Sequence, residues 1–211
     1  MSDNSDSKTR RRQPKQTRSI ETRNSILDAA AELFASAGYE QTTTHQVAGQ
    51  AEVSVGALYR YFADKEAILK DLYRREITEL RTSLVREFSS ADLMSQDVQQ
   101  LVRQTLTLAF KVYSRRPGLM RVLGEQSRKV PDLARMRGSQ EAELHRAIGT
   151  ILGAVPNANL PDRLVGSYLI RLFLESLIED HVFYQRSEFT DEQVIEASAD
   201  FILRYILGRI S

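Results

Sequence analysis

Apolar residues return along this chain every three or four positions, and no stretch alternates with period two for long. That spacing predicts helices throughout, because it lines up side chains on one face of a 3.6-residue turn. Leu27, Ala30, Ala31 and Phe34 form the first stripe, on a helix expected over residues 17–37 and closed by Gly38 as a left-handed cap. A short helix is expected over 44–50 with Thr43 as its N-cap, and another from Ser54 to about Tyr61. Asp64 caps a long fourth helix carrying Ile68, Leu69, Leu72 and Ile77, with Glu66 in its first turn. Further helices are expected near 96–115, 118–128, 132–152, 162–185 and 191–208, with Pro117, Pro131, Pro156 and Pro161 at the joints. The expected fold class is all-α, with about nine helices. A basic arm over 1–16 would precede a three-helix bundle over 17–63 and a larger helical domain over 64–211.

The helix over 162–185 departs from the amphipathic rule. Leu164, Val165, Tyr168, Leu169, Ile170, Leu172, Phe173, Leu174, Leu177 and Ile178 cover nearly its whole circumference. Such a helix is buried on all sides, one of them against a further partner. The last helix repeats the pattern more weakly with Val194, Ile195, Ile202, Tyr205 and Ile206. A homodimer through the helices near 162–185 and 191–208 is therefore expected.

Composition narrows the class. Hydrophobic residues make up 42% and charged residues 27% of 211 residues, the profile of a globular chain with a sizeable core. No cysteine is present, which excludes disulfides, thiolate zinc sites and cysteine nucleophiles. His45, His145 and His181 have no metal-ligand spacing, and neither a Gly-rich phosphate loop nor a G-x-S-x-G elbow occurs. No enzyme, cofactor or metal is expected. The polar N-terminus carries no signal-peptide pattern, and Arg171 and Glu175 interrupt the most apolar stretch, so a cytoplasmic protein without membrane contact is expected. Net charge is +1, but residues 1–23 carry seven cations against three acids, leaving −3 on the remainder. A basic end on a near-neutral body suits local contact with a polyanion, although solvated basic tails are also common.

Three short helices opening a chain have the size of a DNA-binding helix-turn-helix. In the third, Leu58 and Phe62 anchor one face, leaving Val55, Gly56, Ala57, Tyr59, Arg60 and Tyr61 for the outside. Small residues at the helix start let the backbone approach base edges, and tyrosine hydroxyls and arginine bond phosphate oxygens. By composition alone, an ordinary packed helix with partly exposed tyrosines fits equally well.

The run Gly38-Tyr39-Glu40-Gln41-Thr42-Thr43-Thr44, then Val47-Ala48, Val53 to Phe62, Asp64-Lys65-Glu66 and Leu69, preceded by Ile26 to Ala30 and Leu33-Phe34, strongly resembles the TetR family of bacterial repressors. The resemblance implies phosphate contacts for Thr43, Thr44, Tyr59, Tyr61 and Lys65, base contacts for His45, Val55, Gly56 and Ala57, and either role for Arg60. It further implies a regulator, commonly dimeric, that binds a palindromic double-stranded operator and is released by a small-molecule effector. Two positions depart from the family pattern: Glu52 stands where a turn glycine is usual, and Val55 where lysine is frequent. An effector pocket is expected among the helices from 96 to 185, lined by Phe110, Tyr113, Met120, Met136, Leu144, Tyr168 and Phe173. Glu175, Glu179 and Asp180 would favour a cation there, or equally pair with Arg171 or face solvent. The contrasting class is a helical protein–protein interaction module without operator binding.

Overall fold

The computed structural model describes residues 15–87, 97–155, 158–160 and 162–208. Within them every regular element is helical. In chain order these are α1 (Lys15–Ala37), α2 (Thr44–Gln50), α3 (Val55–Tyr61), α4 (Lys65–Glu87), α5 (Val98–Tyr113), α6 (Pro117–Ser127), α7 (Pro131–Ala154), α8 (Arg163–Leu177) and α9 (Asp191–Leu207). No helix among the described residues is long and apolar enough to cross a membrane.

The helix ends follow local chemistry. Gly38 adopts φ +85° and donates its N–H to the Phe34 carbonyl, ending α1. Thr43 accepts from the Gln46 N–H while the Gln46 side chain accepts from the Thr43 N–H, a reciprocal capping box. Ser54 and Asp64 accept from the N–H groups of Ala57 and Ala67, at 3.1 and 2.7 Å. Pro117 and Pro131 open α6 and α7, where their missing N–H removes no helical bond. The helix expected over 162–185 is shorter. After Leu177 it widens into a π-helical turn, Ile178–Phe183. There His181 is buried against the Phe110 ring, and its Nε2 lies 2.9 Å from Asp191 Oδ1 at the start of α9.

Three apolar clusters hold the molecule. The largest joins Ile26, Leu27, Ala30 and Phe34 of α1 to Val47, Leu58, Phe62, Ile68, Leu69 and Leu72, and continues into Leu119, Val122 and Leu123 of α6 and Leu133 of α7. The N-terminal helices therefore share a core with the body. Besides the chain connection through α4, α6 packs directly on α1. Gly118 permits this: a Cβ there would fall 2.9 Å from the Ala35 carbonyl oxygen. A second cluster, built on Leu106, Leu152, Ile170, Ala199, Ile202 and Ile206, joins α5, α7, α8 and α9. The third gathers Phe110, Ile178 and Val182 around the π turn.

Candidate nucleic-acid interface

Helices α2 and α3 are joined by four residues, and the turn is made by Glu52 at φ +55°. In that left-handed conformation the Glu52 N–H reaches the Gly49 carbonyl at 3.1 Å, and Val53 N–H reaches Ala48 at 3.0 Å. The reversal buries Val47, Ala48, Ala51 and Leu58 against α1 and turns the other side of α3 to solvent. A non-glycine residue pays a steric penalty for such a φ, because Cβ crowds the neighbouring carbonyl.

The exposed side carries Gly56, Tyr59 and Arg60 on α3 and His45 on α2. The Tyr59 and Thr44 hydroxyls share a 3.0 Å hydrogen bond that ties α3 to the start of α2. Tyr59 is 49% exposed, so the bond orients the phenol without hiding it. Nothing lies within 4 Å of where a Gly56 Cβ would stand, so the glycine leaves open space outside the helix.

Not all expected outward residues face out. Val55 and Tyr61 are half-buried and pack on the first cluster, and Ala57 is half-buried as well. Tyr61 leans towards α1, where a hydrogen bond with Ser19, and a lesser one with Thr22, lowers its hydroxyl pKa. The expectation of a six-residue outer face is thus corrected to Gly56, Tyr59 and Arg60, with Ala57 at the margin. The reason is that α3 is two turns long and wedged between α1 and α2.

Lys65 was expected to hold phosphate. Its ammonium instead donates to the carbonyls of Tyr39 (2.7 Å) and Thr42 (2.9 Å), with that of Glu40 at 3.4 Å, and sits 4.2 Å from the centre of the Tyr39 ring. These contacts staple the segment between α1 and α2, whose Thr42 is buried and donates to the Gly38 carbonyl at 2.8 Å. Thr43 likewise spends its hydroxyl on the capping box. Residue type alone did not reveal this staple, since a lysine at a helix start reads equally as an anion ligand. Among the basic cluster Arg10–Lys15, all but Lys15 lie outside the described residues.

The expected effector residues do not converge. Phe110 belongs to the π-turn cluster, Met136 packs on the first cluster and Phe173 on the second. Leu144 and Tyr168 are exposed on α7 and α8. Only Tyr113 and Met120 line a common cavity. Periodicity locates an apolar face but cannot tell which of its residues border a void. The acids expected near a cation are paired: Glu175 with Arg171 at 2.8 Å, Glu179 with Arg128 at 2.6 Å and Asp180 with Arg186 at 3.5 Å. No cluster of three potential metal ligands occurs among the described residues.

Comparison with known proteins bears directly on this interface. The family model described as bacterial regulatory proteins of the tetR family matches residues 26–72, which run from α1 through the helix-turn-helix into α4. This segment of the chain is similar to the tetR family. Over 54 residues it is 48% identical to the A-factor receptor protein of Streptomyces griseus, covering 26% of this chain and 20% of that one. Over 64 residues it is 44% identical to the regulator HbdR of Aromatoleum sp. (strain CIB), covering 27% and 28%. The chain thus spans between a fifth and a third of the length of these relatives. A longer likeness, 27% identity over 180 residues, covers 85% of this chain and 90% of the transcriptional repressor Rv1474c of Mycobacterium tuberculosis. A solved tetR-family regulator from Rhodococcus RHA1 superposes with a TM-score of 0.71 at 18% identity, over 88% of this chain and 96% of that one. The fold of that solved regulator therefore extends over the body, while the family-model match ends at residue 72 in α4.

Proposed function

We propose that this protein is a dimeric, sequence-specific DNA-binding transcriptional repressor, released from a palindromic operator by a small-molecule effector. The observation that carries the reading is the exposed edge of α2 and α3: His45, Gly56, Tyr59 and Arg60 on a short helix backed by the buried Leu58 and Phe62. Arg60 and the Thr44–Tyr59 hydroxyl pair supply phosphate contacts. Val55, Gly56, Ala57 and His45 read base edges, Val55 by apolar contact with a thymine methyl from its half-buried position. Thr43, Tyr61 and Lys65 act mainly by fixing the helices that present these groups. The chain's relatives carry names of transcriptional regulators, several of them repressors, which fits the same role.

Dimerisation supplies the second half of the reader. Leu164, Val165, Tyr168, Leu169 and Leu172 of α8 and Phe201 of α9 stand exposed, Leu164 to 70% and Phe201 to 56%. A contiguous apolar face of this kind on one chain marks an association surface. A two-fold pairing of α8 and α9 would set two α3 helices about one DNA turn apart.

A mobility-shift assay against the DNA flanking the protein's own coding sequence tests the reading. Salt-sensitive, sequence-dependent binding by a dimer is expected. Absence of binding at low salt would favour the interaction-module alternative.

A further inference from the structure

The described residues enclose a cavity of about 170 Å³ between α4, α5 and the start of α6. Its lining is chemically sorted. Glu76 and Glu79, one turn apart on α4, contribute carboxylates. Arg115 and Arg116, in the corner between α5 and α6, contribute guanidiniums. Val112, Tyr113 and Met120 supply apolar surface, and the Tyr113 ring is fixed edge-on against Phe183 at 5.6 Å. Burial pushes the Tyr113 hydroxyl up to about 12, so it stays neutral and adds no charge.

Glu76 is the informative residue. Its side chain is 11% exposed, and its Oε1 is buried without a hydrogen-bond partner among the described residues. Its cationic neighbours, Arg75 Nε and Arg116 Nη1, both stand 3.6 Å away, beyond hydrogen-bond reach. Arg75 Nη1 meets Asp28 Oδ1 of α1 at 2.7 Å, while its Nε and Nη2, like Glu76 Oε1, are buried without a hydrogen-bond partner among the described residues. Burial, reinforced by Glu79, raises the Glu76 carboxyl pKa. A buried acceptor left without a donor is costly, and a donor arriving in the cavity removes that cost.

We propose that this cavity binds a small zwitterion, a free amino acid with an apolar side chain, whose ammonium donates to Glu76 Oε1 and whose carboxylate meets Arg115 and Arg116. The side chain then lies on Val112, Tyr113 and Met120. The formal charges of the lining cancel, and this selects the ligand class. A simple cation would sit beside Arg116, a simple anion beside Glu76, and a neutral ligand would strip water from four charges without replacing it. For its consequence the inference rests on the effector reading above; for binding it does not. Helix α4 begins at Lys65, which staples the α1–α2 segment, and α6 begins beside Gly118, which abuts Ala35 of α1. A ligand spanning Glu76 and Arg116 therefore joins the two struts that hold the N-terminal helices.

The test is calorimetric titration of the protein with the standard L-amino acids. Matched single-charge probes are isopentylamine and 4-methylpentanoate for leucine, and phenethylamine and 3-phenylpropionate for phenylalanine. At least one apolar amino acid should saturate the site, with its amine and acid analogues about ten-fold or more weaker, the worth of one charge-assisted contact. Glu76→Gln should weaken the amino acid by a similar factor. Arg116→Gln, carrying the other half of the site, should erase the preference for the amino acid over its amine. No saturation at millimolar concentration, equal binding of the amine, or unaltered binding by both variants would overturn the proposal and leave Glu76 and Arg116 as a structural ion pair. A mobility-shift assay with the same ligand separates the two readings. Binding without change in operator affinity retires the effector role and leaves the site. Operator release by a compound whose binding both variants leave untouched retires the site and keeps the effector role.

Discussion

Glu52→Gly should stabilise the protein. Glu52 holds φ +55° in the turn between α2 and α3, and its side chain is exposed, so replacement loses no buried contact. The left-handed conformation costs an L-residue roughly 1–2 kcal/mol. Glycine escapes that cost but loses more backbone freedom on folding, an offset of about 0.4–1 kcal/mol. The net gain is then about 0.5–1 kcal/mol, or roughly 1–4 °C in Tm for a chain of this size. Calorimetry of three proteins isolates the cause: the parent, Glu52→Gly and Glu52→Ala. Alanine removes the same carboxylate but keeps Cβ, so it should show no comparable gain. Equal stabilisation by alanine and glycine would refute the strain argument and point to charge. Operator affinity reports the charge separately. Both variants delete an acid beside the exposed α2–α3 edge, and under the proposed function both should tighten operator binding by about 0.2–1 kcal/mol, up to roughly five-fold, with the larger effect at low salt.

Tyr59→Phe removes one hydroxyl from the Thr44 pair and from the phosphate surface; operator binding should fall by up to about ten-fold, from a net 0.5–1.5 kcal/mol bond, with Tm nearly unchanged. Leu164→Glu combined with Leu169→Glu places charge on the exposed α8 face and should give a folded monomer in sedimentation that no longer retards operator DNA. Gly118→Ala drives a Cβ to 2.9 Å from the Ala35 backbone oxygen and should destabilise by about 1–3 kcal/mol in urea denaturation. The Glu76 carboxyl, faced by Glu79, Arg75 and Arg116, has its pKa raised by burial, so folding favours its protonated form. Its share of stability is greatest below the ordinary carboxylate value near 4.3 and is lost as pH rises through the raised folded value. Glu76→Gln should therefore melt above the parent at pH 7, and the gap should close near pH 4.

Helix caps and stripes were legible in the sequence because they depend on neighbours in the chain. Gly38, Thr43, Ser54 and Asp64 all stand where they were expected. The helix-turn-helix was legible for a second reason, since many matched positions fall in order between Ile26 and Leu69. What stayed hidden depends on which distant surfaces meet. Lys65 looks like a phosphate ligand until Tyr39 and Thr42 are brought beneath it. Tyr61 looks outward until Ser19 and Thr22 approach from α1. Apolar character alone points to Leu144 and Tyr168 as pocket residues, yet both face solvent, while Tyr113 and Met120 border the cavity. The charged residues Glu76 and Arg116 carry no such mark in the sequence, because nothing local shows a carboxylate to be buried. The π turn after Leu177 was missed as well, since its residues keep a helical hydrophobic pattern.

Gly118 has a bearing on how such proteins can be recombined. Because it lets α6 lie flush on α1, the matched segment 26–72 does not contain all of its own core: Leu119, Val122, Leu123 and Leu133 complete it. A chimera that transplants this reader onto another body at the end of α4 would leave those four positions filled by a stranger's side chains. Successful grafts should need α6 to travel with α1, although the 79 residues from 38 to 116 separate the two helices. The helix-turn-helix and the stability of the body are in that sense inherited together.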